Sequence, residues 1–105
     1  MSDYGDNIAK YTDSVDEDVV AKIVKHLGIA LRSKDASLVS SSDQTELDRV
    51  RESWLKKKLQ RTESDAELNA AIDVVTEKLG RSNPNKCRVA FYYLLAENFG
   101  VLGEL

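Results

Sequence analysis

Hydrophobic residues recur along this chain at intervals of three and four, the spacing of one face of an α-helix. Val19, Val20, Ile23, Val24, Leu27, Ala30 and Leu31 form one such stripe, with Lys22, Lys25 and Arg32 outside it. Ahead of the stripe, Ser14 and Glu17 have capping-box spacing, and Asp16, Glu17 and Asp18 suit the positive end of a helix dipole. Gly28 falls inside the pattern. Because Ala30 and Leu31 stay in phase beyond it, the helix is expected to run on to about residue 33. A shorter opening helix is expected to place Tyr4, Ile8 and Tyr11 on one face.

A third helix is expected from Ser42 or Asp43, where Asp43 and Glu46 repeat the capping spacing. Leu47, Val50, Trp54, Leu55 and Leu59 follow at helical intervals, and Lys56, Lys57, Lys58 and Arg61 load its last turns, where positive charge is favourable. Ser64 and Glu67 open a fourth helix with Leu68, Ile72, Val75 and Leu79 on one face and Gly80 just beyond its end. Asn83 and Pro84 are placed to cap and start a fifth, KCRVAFYYLLAENF, which is apolar nearly all round and stops at Gly100. A helix of that kind packs on several sides at once and belongs at the centre. The pattern therefore predicts an all-α fold. It reads as a single domain over residues 1–105, a compact bundle of about four to five helices around the C-terminal one.

Composition narrows the class. With 42% apolar and 31% charged residues the chain is too apolar for a disordered one and ordinary for a folded one. The polar, acidic start MSDYGDNIAK does not read as a signal peptide, and no apolar run approaches the roughly 20 residues of a membrane helix. The one cysteine, Cys87, fits a reducing compartment, so a cytoplasmic protein without membrane contact is expected. Charge comes in blocks: −5 over residues 1–20, +5 over 21–61, −4 over 62–80 and +1 over 81–105. Such alternation points to complementary faces, within the fold or between copies, more than to a nucleic-acid binder.

Little in the chain points to catalysis, and no catalytic residue, metal site or cofactor is expected. His26 is the only histidine and falls on the polar side of its helix, and Cys87 opens an apolar helix. The acidic run DSVDED lacks the glycine and terminal glutamate of a calcium loop, and helix capping accounts for it. Two candidate sites remain. Arg49, Arg51, Lys56, Lys57, Lys58 and Arg61 form a basic cluster on the third helix, which Arg81, Lys86 and Arg88 are placed to join. Arg32, Asp35 and Ser37 form a possible polar loop site in the irregular stretch GIALRSKDASLVSSSD. Trp54 fits the core stripe. Adjacent Tyr92 and Tyr93 point about 100° apart, so one of them is expected to turn its hydroxyl to a partner or a surface groove.

Three blocks carry a resemblance: YTDSVDEDVVAKIVKHLGIALRSKDASLVSSSD, RVRESWLKKKL and RVAFYYLLAENFG. Together they resemble a family of small, mainly proteobacterial proteins catalogued as a domain of unknown function. The resemblance implies a bacterial, cytoplasmic, one-domain protein and carries over no site residues. The leading expectation is thus an uncharacterised small soluble protein acting as a non-enzymatic module for self-association or for a protein partner. Anion or nucleic-acid binding through the basic cluster, and a small-molecule binder or enzyme using Arg32 and Asp35, are the alternatives. Nucleic acid is disfavoured by the interspersed Glu46, Asp48 and Glu52.

Overall fold

Among the described residues four helices carry the architecture: α1 (Glu17–Leu27), α2 (Gln44–Val50), α3 (Asp65–Leu79) and α4 (Arg88–Phe99). α2 continues without a break into a π-helical segment, Arg51–Lys58, and a short 3-10 turn, Leu102–Glu104, follows α4. The structure, a computed structural model, describes residues 8–12, 15–28, 38–39, 43–80 and 87–104. Among these the only extended pairing is a single antiparallel bridge between Leu38 and Cys87. The fold is all-α, as the periodicity predicts.

α4 is the centre of the bundle, and its composition explains why. From Arg88 to Ala96 every residue is buried, so the helix needs neighbours on all sides. α1 packs on it through Val19, Val20 and Ile23, and α3 through the stripe Leu68, Ala71, Ile72, Val75 and Leu79. Trp54 covers a further side, its indole N–H donating to the Tyr92 carbonyl at 3.2 Å and its ring 4.7 Å from that of Tyr92. Ile8, Val39 and Val101 complete the core, each removing an apolar side chain from water at about 1.5–3 kcal/mol apiece. Neither tyrosine faces solvent, which corrects the expectation for the pair. Tyr93 reaches the start of α1, where its hydroxyl accepts from the Asp16 amide at 3.0 Å. Tyr92 is held between Trp54 and Arg88.

Helix ends follow capping chemistry, with three corrections. The Ser64 hydroxyl accepts from the Glu67 amide, and Gly80 and Gly100 stop α3 and α4 with positive φ, as expected. α1, however, is capped by Asp16, whose carboxylate accepts from the Asp18 and Val19 amides; Ser14 lies outside the described residues. α1 also ends at Leu27 instead of continuing: Gly28 takes φ +46° and its amide bonds to the Val24 carbonyl. Glycine's tolerance of positive φ outweighed the in-phase Ala30 and Leu31, which lie outside the described residues. α4 starts at Arg88 behind Cys87, not near Pro84, because Cys87 is still extended and bridged to Leu38. Tyr4, Ser42, Asn83 and Pro84 lie outside the described residues.

The π-helical segment is the main departure from a regular reading. At about 100° per residue, Leu59 would stand about 180° from Val50 on an α-helix and point away from the core. An i→i+5 ladder widens each turn to between four and five residues. Val50, Trp54, Leu55 and Leu59 then share one face, and the first three are fully buried while Leu59 packs against the core. The Leu59 amide bonds to the Trp54 carbonyl five residues back, and the Arg61 amide to the Leu55 carbonyl six back. Ser53 Oγ donates to the Arg49 carbonyl at 2.6 Å, occupying the acceptor that its own amide would use in an α-helix. The segment closes on Gln60, the one non-glycine residue with positive φ among those described (54°).

Candidate functional site

Four of the six basic residues picked out on the third helix are engaged by carboxylates of the same chain. Arg49 Nη1 lies 3.4 Å from Glu46. Arg51 lies mostly covered between α2 and α3, donating to Asp48 and Glu52 at 3.2 Å and to the Asn69 side-chain oxygen at 3.1 Å. Lys56 Nζ bridges Asp65 at 2.6 Å and Glu52 at 2.8 Å. Its bonds to Asp65 and then Glu52 raise its pKa, and the same contacts hold both carboxyls below their usual range. Arg61 forks onto Glu63, closest at 2.7 Å, and its guanidinium lies 4.9 Å from the centre of the Phe99 ring. These pairs tie the π-helical segment to the start of α3 and to the end of α4. Lys57 and Lys58 have no such partner among the described residues and are exposed.

Lys57 and Lys58 do not stand alone. The His26 ring, at the end of α1, packs 5.2 Å from the Trp54 ring, which brings the last turn of α1 against the π-helical segment. Partial burial, then the nearby Lys58 charge, lowers the His26 pKa below its ordinary 6.5. On α1, Lys22, Lys25 and His26 fall at i, i+3 and i+4 and are all exposed. The contact of His26 with Trp54, and the nearness of the Lys58 charge, set the exposed Lys22, Lys25 and His26 of α1 next to the lysine-bearing end of the π-helical segment. His26, expected on the polar side of its helix, makes the contact between the two segments, which no local pattern encodes.

An acidic surface lies on α3. At about 100° per residue, Glu67, Ala70, Asp73, Val74 and Glu77 span an arc of about 120° on the side opposite the buried stripe. All five are exposed, and Val74, 55% accessible, is the exposed large hydrophobic residue of the described structure. The face has an apolar centre, Ala70 and Val74, with Glu67, Asp73 and Glu77 around it and Lys78 at its edge, where its Nζ lies 3.8 Å from Glu97. Its signal in the sequence is the −4 block of residues 62–80.

A third cluster is internal. Arg88, expected to join the basic cluster, is instead buried beside Tyr92. Its guanidinium pairs with Glu46 of α2 and donates to the Leu38 carbonyl at 3.2 Å and the Tyr92 hydroxyl at 3.5 Å. Burial pulls the Arg88 pKa down, and the bonds to Glu46 and Tyr92 more than restore it. The arrangement locks the first turn of α2 and residue 38 onto the start of α4. Cys87 is a half-buried free thiol next to it.

Arg32, Asp35 and Ser37, and with them Arg81 and Lys86, lie outside the described residues. Among the described residues no group of three or more histidine, cysteine, aspartate or glutamate side chains is placed to hold a metal ion. No helix there is long and apolar enough to cross a membrane. The family described as Protein of unknown function (DUF2853) matches the chain over residues 3–102. No curated protein matches it.

Proposed function

The chain belongs to the DUF2853 family, whose function is unknown, and from that premise we propose that it is a non-enzymatic protein-association module. The observation that carries this reading is the outer face of α3. There Val74 stands exposed beside Ala70, with Glu67, Asp73 and Glu77 around them, an apolar spot with a charged rim as protein contacts have. The reading includes a bacterial, cytoplasmic setting, with which a lone thiol is in keeping. Phosphate or nucleic-acid binding has weaker support, because Arg49, Arg51, Lys56 and Arg61 already face carboxylates of the chain.

Two measurements on the full chain and on Val74→Lys test the reading: sedimentation over a wide concentration range, and capture from an extract of the host. The wild type is expected to self-associate or to retain a partner, and the variant to lose that behaviour while its circular dichroism is unchanged. If the variant matches the wild type in both measurements, α3 is not an association surface and the reading fails.

A further inference from the structure

Resting on the association reading, we infer that the partner of the acidic α3 face is the basic surface of a second copy of the same chain. The two surfaces are complementary in charge. Lys22 and Lys25 on α1 and Lys57 and Lys58 on the adjoining π-helical segment supply four exposed positive charges, and Glu67 and Asp73 supply exposed negative ones on the face of α3 that carries Val74. They stand on different elements: the basic surface spans α1 and the π-helical segment, the acidic one lies on α3. The contact is therefore heterologous, head to tail. Each protomer that docks leaves one basic and one acidic surface open, so assembly continues into a ring or an open chain and does not stop at a dimer.

Arg51, Lys56 and Arg61 are engaged within the bundle, whereas Lys57 and Lys58 project beside them without a carboxylate among the described residues. The acidic arc is about 15 Å long, from Glu67 to Glu77 at about 1.5 Å per residue. A contact of that size belongs with the small, weak interfaces, and one built from exposed charges is screened by salt within about 10 Å at 0.1 M. The association is thus expected at high protein concentration and low ionic strength, and it disappears in molar salt.

Two surface-neutralising variants test it: Lys57→Gln/Lys58→Gln, which removes part of the basic surface, and Glu67→Gln/Asp73→Asn, which removes part of the acidic one. Sedimentation equilibrium at low salt reads the outcome. Wild type is expected to grow beyond dimer with concentration, and each variant alone to stay monomeric. An equimolar mixture of the two variants keeps one intact surface on each partner, so it forms a 1:1 dimer and nothing larger. A variant that still dimerises alone overturns the heterologous contact, and so does a mixture that stays monomeric. Wild type that is monomeric at millimolar concentration and low salt also overturns it. In that last case the association reading itself is judged separately, by whether Val74→Lys abolishes capture of a different protein.

Discussion

The Glu46–Arg88 pair invites the most direct measurement, because its two members lie far apart in sequence and almost out of water. Their side chains retain 13% and 10% of their exposure, so little solvent screens the pair. Removing one partner of a buried pair leaves the other charge uncompensated, at a cost of about 3–5 kcal/mol. In Glu46→Ala, Arg88 keeps the Leu38 carbonyl and the Tyr92 hydroxyl, which places the expected loss near the lower end, about 3 kcal/mol. Marginally stable domains have about 5–15 kcal/mol in total, so the variant still folds but is visibly weakened. With a urea slope of about 1.5 kcal/mol/M, the midpoint falls by about 2 M. Trp54, the only tryptophan and 1% exposed, reports the transition by its fluorescence. Replacing both members with apolar residues, Glu46→Leu with Arg88→Met, is expected to lose about 1 kcal/mol or less, since no charge is then stranded. A single variant within about 1 kcal/mol of wild type would sink the argument. So would a double variant as weak as the sum of the two singles, because it would mean the pair has no coupling.

Three other outcomes follow from the geometry. His26 has a folded pKa below its ordinary 6.5, so it takes up its proton more readily when unfolded. Its contribution is fully present above that value and is lost as the pH falls below it. The stability difference between wild type and His26→Gln should therefore shift against the wild type between pH 7 and pH 5, and a flat difference would refute the packing on Trp54. Gln60→Gly relieves a positive φ at the end of the π-helical segment and should raise stability by about 0.5–1 kcal/mol in a denaturant titration. Leu95→Ala, in the fully buried centre of α4, should cost about 2–5 kcal/mol, readable as a drop in Tm.

What the sequence disclosed and what it hid divide along a physical line. α3 was legible throughout: its cap, its stripe and its terminal glycine are all local signals, and Ser64, Leu68, Ile72, Val75 and Gly80 supply them in order. The same holds for the centrality of α4, which has no polar face to leave in water. Hidden features depend on distant partners. Arg88 looks like a surface cation until Glu46, 42 residues earlier, is brought to it by the fold. Tyr93 looks like a candidate for exposure until the Asp16 amide meets its hydroxyl. The basic cluster showed part of its division: Glu52 stands four residues before Lys56 and Asp48 three before Arg51, whereas the contacts of Arg51 and Lys56 with Asp65 come only with the docking of α3. The widened helix did leave a trace: Val50, Trp54, Leu55 and Leu59 are spaced by four and five, and neither spacing of the α pattern carries all four to one face.

That trace has a consequence for how this chain tolerates changes of length. Take away one exposed residue ahead of Trp54, such as Ser53, and the four apolar positions close up to intervals of i, i+3, i+4 and i+8. Those are the intervals of an ordinary α-helical stripe. The segment is in effect an α-helix carrying one surplus residue, held in a wider coil so that the core contacts on either side of it stay where they are. A deletion there is absorbed as a change of helix type, with Trp54 and Leu55 still inward. In the regular α3, the same deletion turns every following side chain by about 100° and empties the core of Val75 and Leu79.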